Sequence, residues 1–237
     1  MKKVLFAIFA LAAISLQAQN LQLHYDLGRN IYSDQESGRQ KVTATLEQFK
    51  ADQYGNFFYF IDLDFLSDGM AGAYTEFSRE FNVGNKGFAA HVEYDGGFCS
   101  FKGSQYSAKF QHSVLVGPAY NWASGDFSKT FSVQALYKHY FKGSGEDGYP
   151  SVQLTGVWGV DFADGKCRFS GFIDFWRGVQ YNGHGQLVML SEPQFWYNFN
   201  SHASLGAEVE LSNNFVGNYY DDKTFFMNPT LAFKWNF

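Results

Sequence analysis

The sequence predicts an all-β chain closed into an antiparallel transmembrane β-barrel of about twelve strands, connected as an up-and-down meander. Three observations lead there. Aromatic residues make up 20% of the chain and charged residues only 17%, with 27 Phe, 15 Tyr and 24 Gly. That is the composition of a strand former, not of a helical bundle or a disordered chain. Apolar and polar residues alternate with period two over segments mostly ten to fourteen residues long. Ordinary soluble strands average about five or six residues, whereas a tilted bilayer crossing needs about ten. The connections alternate as well, short after even-numbered strands and longer after odd-numbered ones, as in outer-membrane barrels.

Residues 1–18 read as a cleaved secretory signal. Met1-Lys2-Lys3 is a basic start, Val4 to Leu16 is an almost unbroken apolar run, and Ala18 is a small residue at the expected cut. An N-terminal anchor helix is the alternative, but the run is short for a membrane span. Its removal leaves 16 basic against 23 acidic residues, a net charge of −7 rather than −5. Nothing resembles a basic footprint for nucleic acid. The mature chain, 19–237, is then a single barrel domain.

Twelve strands follow, at about 21–32, 41–51, 56–66, 72–83, 88–98, 107–122, 127–141, 150–162, 166–179, 186–199, 201–212 and 224–237. In the first, Leu21, Leu23, Tyr25 and Leu27 oppose Gln22, His24, Asp26 and Gly28. In the second, Val42, Ala44 and Leu46 oppose Thr43, Thr45 and Glu47. The eleventh sets Ala203, Leu205, Ala207, Val209 and Leu211 against His202, Ser204, Gly206, Glu208 and Glu210. The twelfth sets Phe225, Met227, Leu231, Phe233, Trp235 and Phe237 against Asn228, Thr230, Lys234 and Asn236. Tight turns such as Asp52-Gln53-Tyr54-Gly55, Gly84-Asn85-Lys86-Gly87, Ser124-Gly125-Asp126 and Ala163-Asp164-Gly165 contrast with longer connections at Ser33 to Gln40, Ser67 to Ala71, Cys99 to Tyr106, Lys142 to Tyr149, Gln180 to Gly185 and Asn213 to Lys223. A soluble sandwich or lipocalin-like barrel shares the alternation. The charges on the polar face are too dense for a soluble core, and the chain ends in an aromatic strand closing on Phe237. The apolar face therefore points to lipid and the polar face to a lumen.

That inner face collects Asp26, Glu47, Asp62, Asp64, Glu76, Glu80, Glu93, Asp95, Asp161, Asp174, Glu192, Glu208 and Glu210 against Lys109, Lys138, Arg168 and Lys234. Thirteen acids to four bases in a confined space give a cation-friendly, anion-repelling field. Phe58, Phe60, Tyr74, Phe172, Trp176 and Trp196 share that face. Rings beside carboxylates suit a flat, hydrogen-bonding solute such as a nucleoside; as an alternative, the rings fill a narrow lumen or form a girdle.

Enzymatic signals are scarce. Gly143 to Gly148 matches a dinucleotide-binding pattern by letter, but no helix pattern follows it. His24, His91, His112, His139, His184 and His202 show no metal-ligand spacing, and His112 and Ser113 project to opposite faces of one strand. Cys99 and Cys167 fall at opposite rims of the barrel, about 25 Å apart, beyond the reach of a disulfide. No cofactor, metal or catalytic residue is expected.

Several stretches resemble the Tsx-like nucleoside-specific channels. Thr43-Ala44-Thr45-Leu46-Glu47-Gln48-Phe49-Lys50-Ala51 and Phe57-Phe58-Tyr59-Phe60-Ile61-Asp62-Leu63-Asp64-Phe65 are similar to the family's Glu-rich strand, tight turn and aromatic strand with Asp. Thr75-Glu76-Phe77-Ser78-Arg79-Glu80-Phe81 resembles the next family strand, Gly171-Phe172-Ile173-Asp174-Phe175-Trp176 a later one, and Leu231 to Phe237 the last. The resemblance implies a twelve-stranded monomeric barrel whose narrow pore passes nucleosides. It also implies that Glu47, Phe58, Phe60, Asp62, Asp64, Glu76, Phe172, Asp174 and Trp176 line that pore. The expectation is a passive channel in the bacterial outer membrane, termini periplasmic, not an enzyme. Its partners would be outer-membrane lipid, a nucleoside-like solute and, through the strand ending in Phe237, the barrel-assembly machinery. The rivals are a filled structural or surface-interaction barrel and an outer-membrane barrel enzyme.

Overall fold

The computed structural model describes residues 19–33, 36, 38–67, 69–100, 107–143, 147–179, 184–215 and 224–237. The signal segment 1–18 and the centre of the Gly143 to Gly148 stretch lie outside the described residues. The elements are β1 (Asn20–Asp26), α1 (Gly28–Ile31), β2 (Val42–Asp52), β3 (Gly55–Leu66), β4 (Gly69–Asn82), β5 (Phe88–Ser100), β6 (Ser107–Ala123), β7 (Lys129–Tyr140), β8 (Tyr149–Phe162), β9 (Cys167–Val179), β10 (Gly185–Ser191), β11 (Gln194–Asn198), β12 (Ala203–Asn213) and β13 (Phe225–Asn236). Each strand pairs antiparallel with its chain neighbours, and β13 pairs with both β12 and β1, so the sheet closes on itself.

β10 and β11 are two halves of one crossing. Both pair with β9 on one side and β12 on the other. The split falls at Glu192-Pro193, where proline has no N–H to give the ladder. The flanking bonds survive: Glu192 N donates to Phe172 O at 3.1 Å and Val209 N to Pro193 O at 3.0 Å. Twelve crossings therefore result, as the alternation predicts.

Exposure settles which face is which. Along β1, Gln22 and His24 are 2% and 5% exposed, whereas Leu23 and Tyr25 are both 46% exposed. Along β13, Phe226 and Asn228 are fully buried while Met227, Leu231, Phe233 and Trp235 are 41–60% exposed. A soluble sandwich has the opposite distribution. Here the apolar belt faces outward, the arrangement of a membrane-spanning barrel. Among the described residues no helix is long and apolar enough to cross a membrane; the strands are the crossing elements.

The short turns are built by Asp and Asn side chains folding back on their own backbone. Asp52 Oδ1 accepts from the N–H groups of Tyr54 and Gly55. Asn200 Oδ1 accepts from those of His202 and Ala203. Asp126 Oδ1 accepts from both Ser124 and Ser128 hydroxyls, which hold its carboxyl down to about 2. Gly87, at φ 83°, has no room for a side chain: a Cβ would lie 2.2 Å from Asn121 O. Phe237 N donates to Gln19 O, so both ends of the described barrel meet at this rim.

Three expectations need correction. The first strand was expected to run to residue 32, but β1 stops at Asp26, because Asp26 Oδ1 takes the Gly28 N–H at 2.7 Å and turns the chain into α1. β4 already begins at Gly69, inside the expected loop from Ser67 to Ala71. Finally, alternation does not run straight through β6. The register slips between Asp95 and Gly97, so Ser113 pairs with Asp95 but Phe110 with Gly97. The backbone of Lys109 pairs with that of Phe98, and its side chain lies outside the described residues. Cys99 near the end of β5 and Cys167 at the start of β9 are not joined, as their opposite rims require.

Leu231 lies mid-strand in β13 on the outward face and is 60% exposed. Leu231→Arg is expected to cost about 2–4 kcal/mol if that belt meets hydrocarbon. Reversible folding into vesicles measures this; no loss relative to a rim position such as Lys129→Arg would count against the belt.

Candidate functional site: the barrel lumen

All nine residues predicted to line a pore fall on the inner wall, because the register carries one parity round the barrel. Glu47 pairs with Phe60, Phe60 with Glu76, and Glu76 with Asp95. Asp174 pairs with Thr155, and Trp176 with Gln153, on the same face. They are not joined into one hydrogen-bonded or ring-contact network. Among the described residues no hydrogen bond, ion pair or ring contact joins Phe172, Asp174 and Trp176 to the six on β2–β4.

Hydroxyls and amides orient the acids. Thr43 Oγ1 donates to Asp64 Oδ1 at 2.7 Å, Thr45 to Asp62 and Thr155 to Asp174. Asn20 Nδ2 donates to Glu47 Oε1 at 3.0 Å, and the Tyr74 hydroxyl to Glu76 Oε1 at 2.9 Å. A Thr placed directly across the ladder from an Asp costs little to order, since its χ1 is already restricted.

The rings make a continuous ladder. Phe58 and Phe60 have centroids 6.1 Å apart, Phe60 and Tyr74 5.9 Å, and Tyr74 and Phe110 5.9 Å. Phe58, Phe60 and Tyr74 are half-buried and Phe110 is 39% exposed, so the ladder is only partly covered. Phe110 was missed by the sequence reading because strict alternation assigns it to lipid. The β6 slip brings it inside, over Gly97, where a Cβ would lie 2.8 Å from Phe110 Cδ2. The adjacent pair Gly96-Gly97 within a strand is the signal that could have found it.

Bases neutralise only part of the wall. Lys138 Nζ lies 3.0 Å from Asp95 Oδ2, donates to Gln153 Oε1 at 2.9 Å and sits 5.5 Å from the centre of the Trp176 ring. His91 sets one ring nitrogen against Glu80 and the other against Glu93, at 3.1 and 3.0 Å, which the imidazolium satisfies with two donated bonds. Lys234 Nζ lies 3.8 Å from the centre of the Trp196 ring, and Trp196 is fully buried at the short-turn end of the lumen. Arg168 pairs with Asp161 at 2.8 Å. Among the described residues, Glu47, Asp62, Asp64, Glu76, Asp174 and Glu192 have no basic group within ion-pair distance.

One base comes from outside the strands. Arg39, in the connection after α1, bonds Asp26 Oδ2 at 2.9 Å and both carboxylate oxygens of Glu210 at 3.2 and 3.0 Å. Burial alone would lower its pKa, but Glu210 and Asp26 outweigh that and raise it, so the guanidinium is permanently charged. Alternation assigns no face to a loop residue, and Arg39 was not among the candidates.

Residues 18–237 match the family described as "Domain of unknown function (DUF5020)". The chain belongs to that family. No curated protein matches this DUF5020 chain in sequence. Among solved structures, one described as a NanC porin is 10% identical with a TM-score of 0.59, covering 92% of this chain and 98% of that one. A KdgM porin in complex with disordered oligogalacturonate is 10% identical with a TM-score of 0.51, covering 92% and 99%. A KdgM porin structure is 8% identical with a TM-score of 0.50, covering 92% and 98%. At such identities the likeness is one of fold: the DUF5020 barrel is built as porin barrels are. It carries no information about the residues of the lumen.

Lys138→Met should test the wall directly. It strands Asp95, which is 4% exposed, and is expected to destabilise the folded barrel by about 3–5 kcal/mol, whereas adding Asp95→Leu should recover most of the loss. Denaturant titration of both variants reads this out.

Proposed function

We propose that the chain forms a narrow passive channel in the bacterial outer membrane for small neutral or cationic solutes, with nucleosides or related aromatic solutes the leading class. The observation that carries this is the half-buried ring ladder Phe58–Phe60–Tyr74–Phe110 running beside Asp62 and Glu76, two acids with no ion-pair partner among the described residues. Rings of this kind stack on a flat base, while carboxylates accept from amino and hydroxyl groups. The resemblance of the second, third, fourth and ninth strands to Tsx-like channels points the same way. Glu47, Phe58, Phe60, Asp62, Asp64, Glu76, Phe172, Asp174 and Trp176 would line the path.

The solute held by the KdgM porin, an oligogalacturonate, is a polyanion. A wall of thirteen acids would repel such a chain, so similarity of fold does not carry that solute over. Permeation would be diffusive, without cofactor, and the barrel would be inserted through its C-terminal strand as a monomer.

A second reading has its own observation. Trp196, Phe226 and Asn228 are completely buried on the inner face, as in a filled barrel that serves as structure or as a platform for its longer loops.

Single-channel recording in planar bilayers separates the two. The channel reading expects a cation-preferring conductance, blocked by adenosine. Phe60→Ala should weaken that block about five- to a hundredfold, the equivalent of about 1–3 kcal/mol of stacking. Asp62→Asn with Glu76→Gln should reduce the cation preference. Protein that folds and inserts but never conducts would establish the filled barrel instead.

A further inference from the structure

The connection after β1 is tied to the inner wall at Gly28, Tyr32, Glu36 and Arg39. Asp26 turns the chain at Gly28, and α1 leads to Tyr32, whose ring meets Phe226 edge-on at 5.2 Å. Met227 N donates to the Tyr32 hydroxyl at 3.3 Å. Glu36 is 5% exposed, and Asn228 Nδ2 donates to both Glu36 Oε1 at 3.0 Å and Glu210 Oε1 at 3.1 Å. Asn228 and Phe226 are luminal residues of β13, so this stretch covers the inner wall at the long-loop mouth. Gly28 makes the approach possible, since a Cβ there would lie 2.4 Å from Asn228 Oδ1.

Arg39 binds this stretch to the barrel at two strands. It reaches Asp26 on β1 and grips Glu210 on β12 with a two-pronged bond, spanning β13 between them. The guanidinium is 11% exposed and its two carboxylates 6% and 12%. A planar fork against a carboxylate fixes orientation as well as distance, which a lysine cannot do.

We propose that Gly28, Tyr32, Glu36 and Arg39 of this connection form a built-in constriction of the lumen, and that Arg39 is its positioning residue, setting both the bore of the mouth and its charge selectivity. The stretch takes up cross-section that twelve strands alone would leave open. Arg39 also places a fixed cation among acids that would otherwise attract cations without opposition, so the mouth is less cation-preferring than the wall below it. The selectivity and bore parts of this inference rest on the channel reading; the latch itself does not.

Two measurements on the full-length barrel test it. Hydrogen exchange in detergent follows the amides of Glu36 and Arg39, which donate to Tyr32 O and Glu36 O. Arg39→Gln is expected to speed their exchange about tenfold or more while amides of β2–β9 stay unchanged. Arg39→Lys should give an intermediate rate. Because Arg39→Gln strands two buried acids, Arg39→Gln with Asp26→Asn and Glu210→Gln serves as the variant that keeps the mouth neutral. Planar-bilayer recording of the same proteins should show about a twofold or greater rise in conductance in both variants. Arg39→Gln should raise the cation-over-anion permeability ratio, and the neutralised triple variant should not. Unchanged exchange in every variant overturns the latch. Faster exchange with unchanged conductance and permeability ratio overturns the constriction. Faster exchange in a barrel that conducts in no form supports the latch and refutes the channel.

Discussion

The structure depends on one pairing rule: every strand is hydrogen-bonded on both sides, with β13 joining β12 to β1. In hydrocarbon an unpaired backbone group costs several kcal/mol, so closure is what allows strands to cross at all. Closure also fixes the faces. Side chains alternate with a period of two, so an outward belt of Leu231, Phe233 and Trp235 obliges Thr230, Ala232 and Lys234 to point inward. The lumen's chemistry is thus the complement of the lipid-facing belt. The face can change only where the ladder slips, and the slip between Asp95 and Gly97 brings Phe110 onto the side of Tyr74.

Enclosing acids has consequences that the ion pairs only partly relieve. Lys138, His91 and Arg39 each engage more than one partner, which spreads their charge over Asp95, Glu80, Glu93, Asp26 and Glu210. Such buried pairs contribute little net stability against apolar alternatives, and what they supply is a defined geometry. Asp62, Glu76 and Asp174 receive hydroxyl bonds and no counter-charge. A hydroxyl satisfies a lone pair but supplies no counter-charge, so these acids are oriented without being paired. The wall is therefore ordered by hydrogen bonds as much as by ion pairs.

The barrel was legible in the sequence because alternation reports the face of a residue directly, and a face that meets lipid tolerates few exceptions. Twelve crossings, the termini at the short-turn rim and the inward placement of all nine candidates follow from that regularity. Where the chain leaves the ladder the signal ends. β1 reads as a strand through Leu27, yet a side-chain bond from Asp26 turns it into α1 before residue 32. Pro193 interrupts a crossing without altering its register, so its effect is local. Arg39 belongs to a connection, and nothing in a polar loop indicates that one of its bases will fold inward. Its role emerges only when Asp26 and Glu210, far apart in sequence, are brought within reach of one guanidinium.

The inner residues also differ in burial round the barrel, which bears on the choice between a channel and a filled lumen. The rings of the ladder stand on β3, β4 and β6, with Asp62 and Glu76 between them. Completely buried fillers stand on β11 and β13 (Trp196, Phe226 and Asn228) and also on β6 (Ser113 and Leu115), and Glu36 and Arg39 lie against the β12–β13 side. A central plug would bury both sets alike, yet the ladder rings keep part of their surface exposed while Trp196, Phe226 and Asn228 keep none. The buried residues of β6, β11 and β13 brace the wall from two sides, and the half-buried rings with their unpaired acids form the surface that a solute would meet on the proposed channel reading.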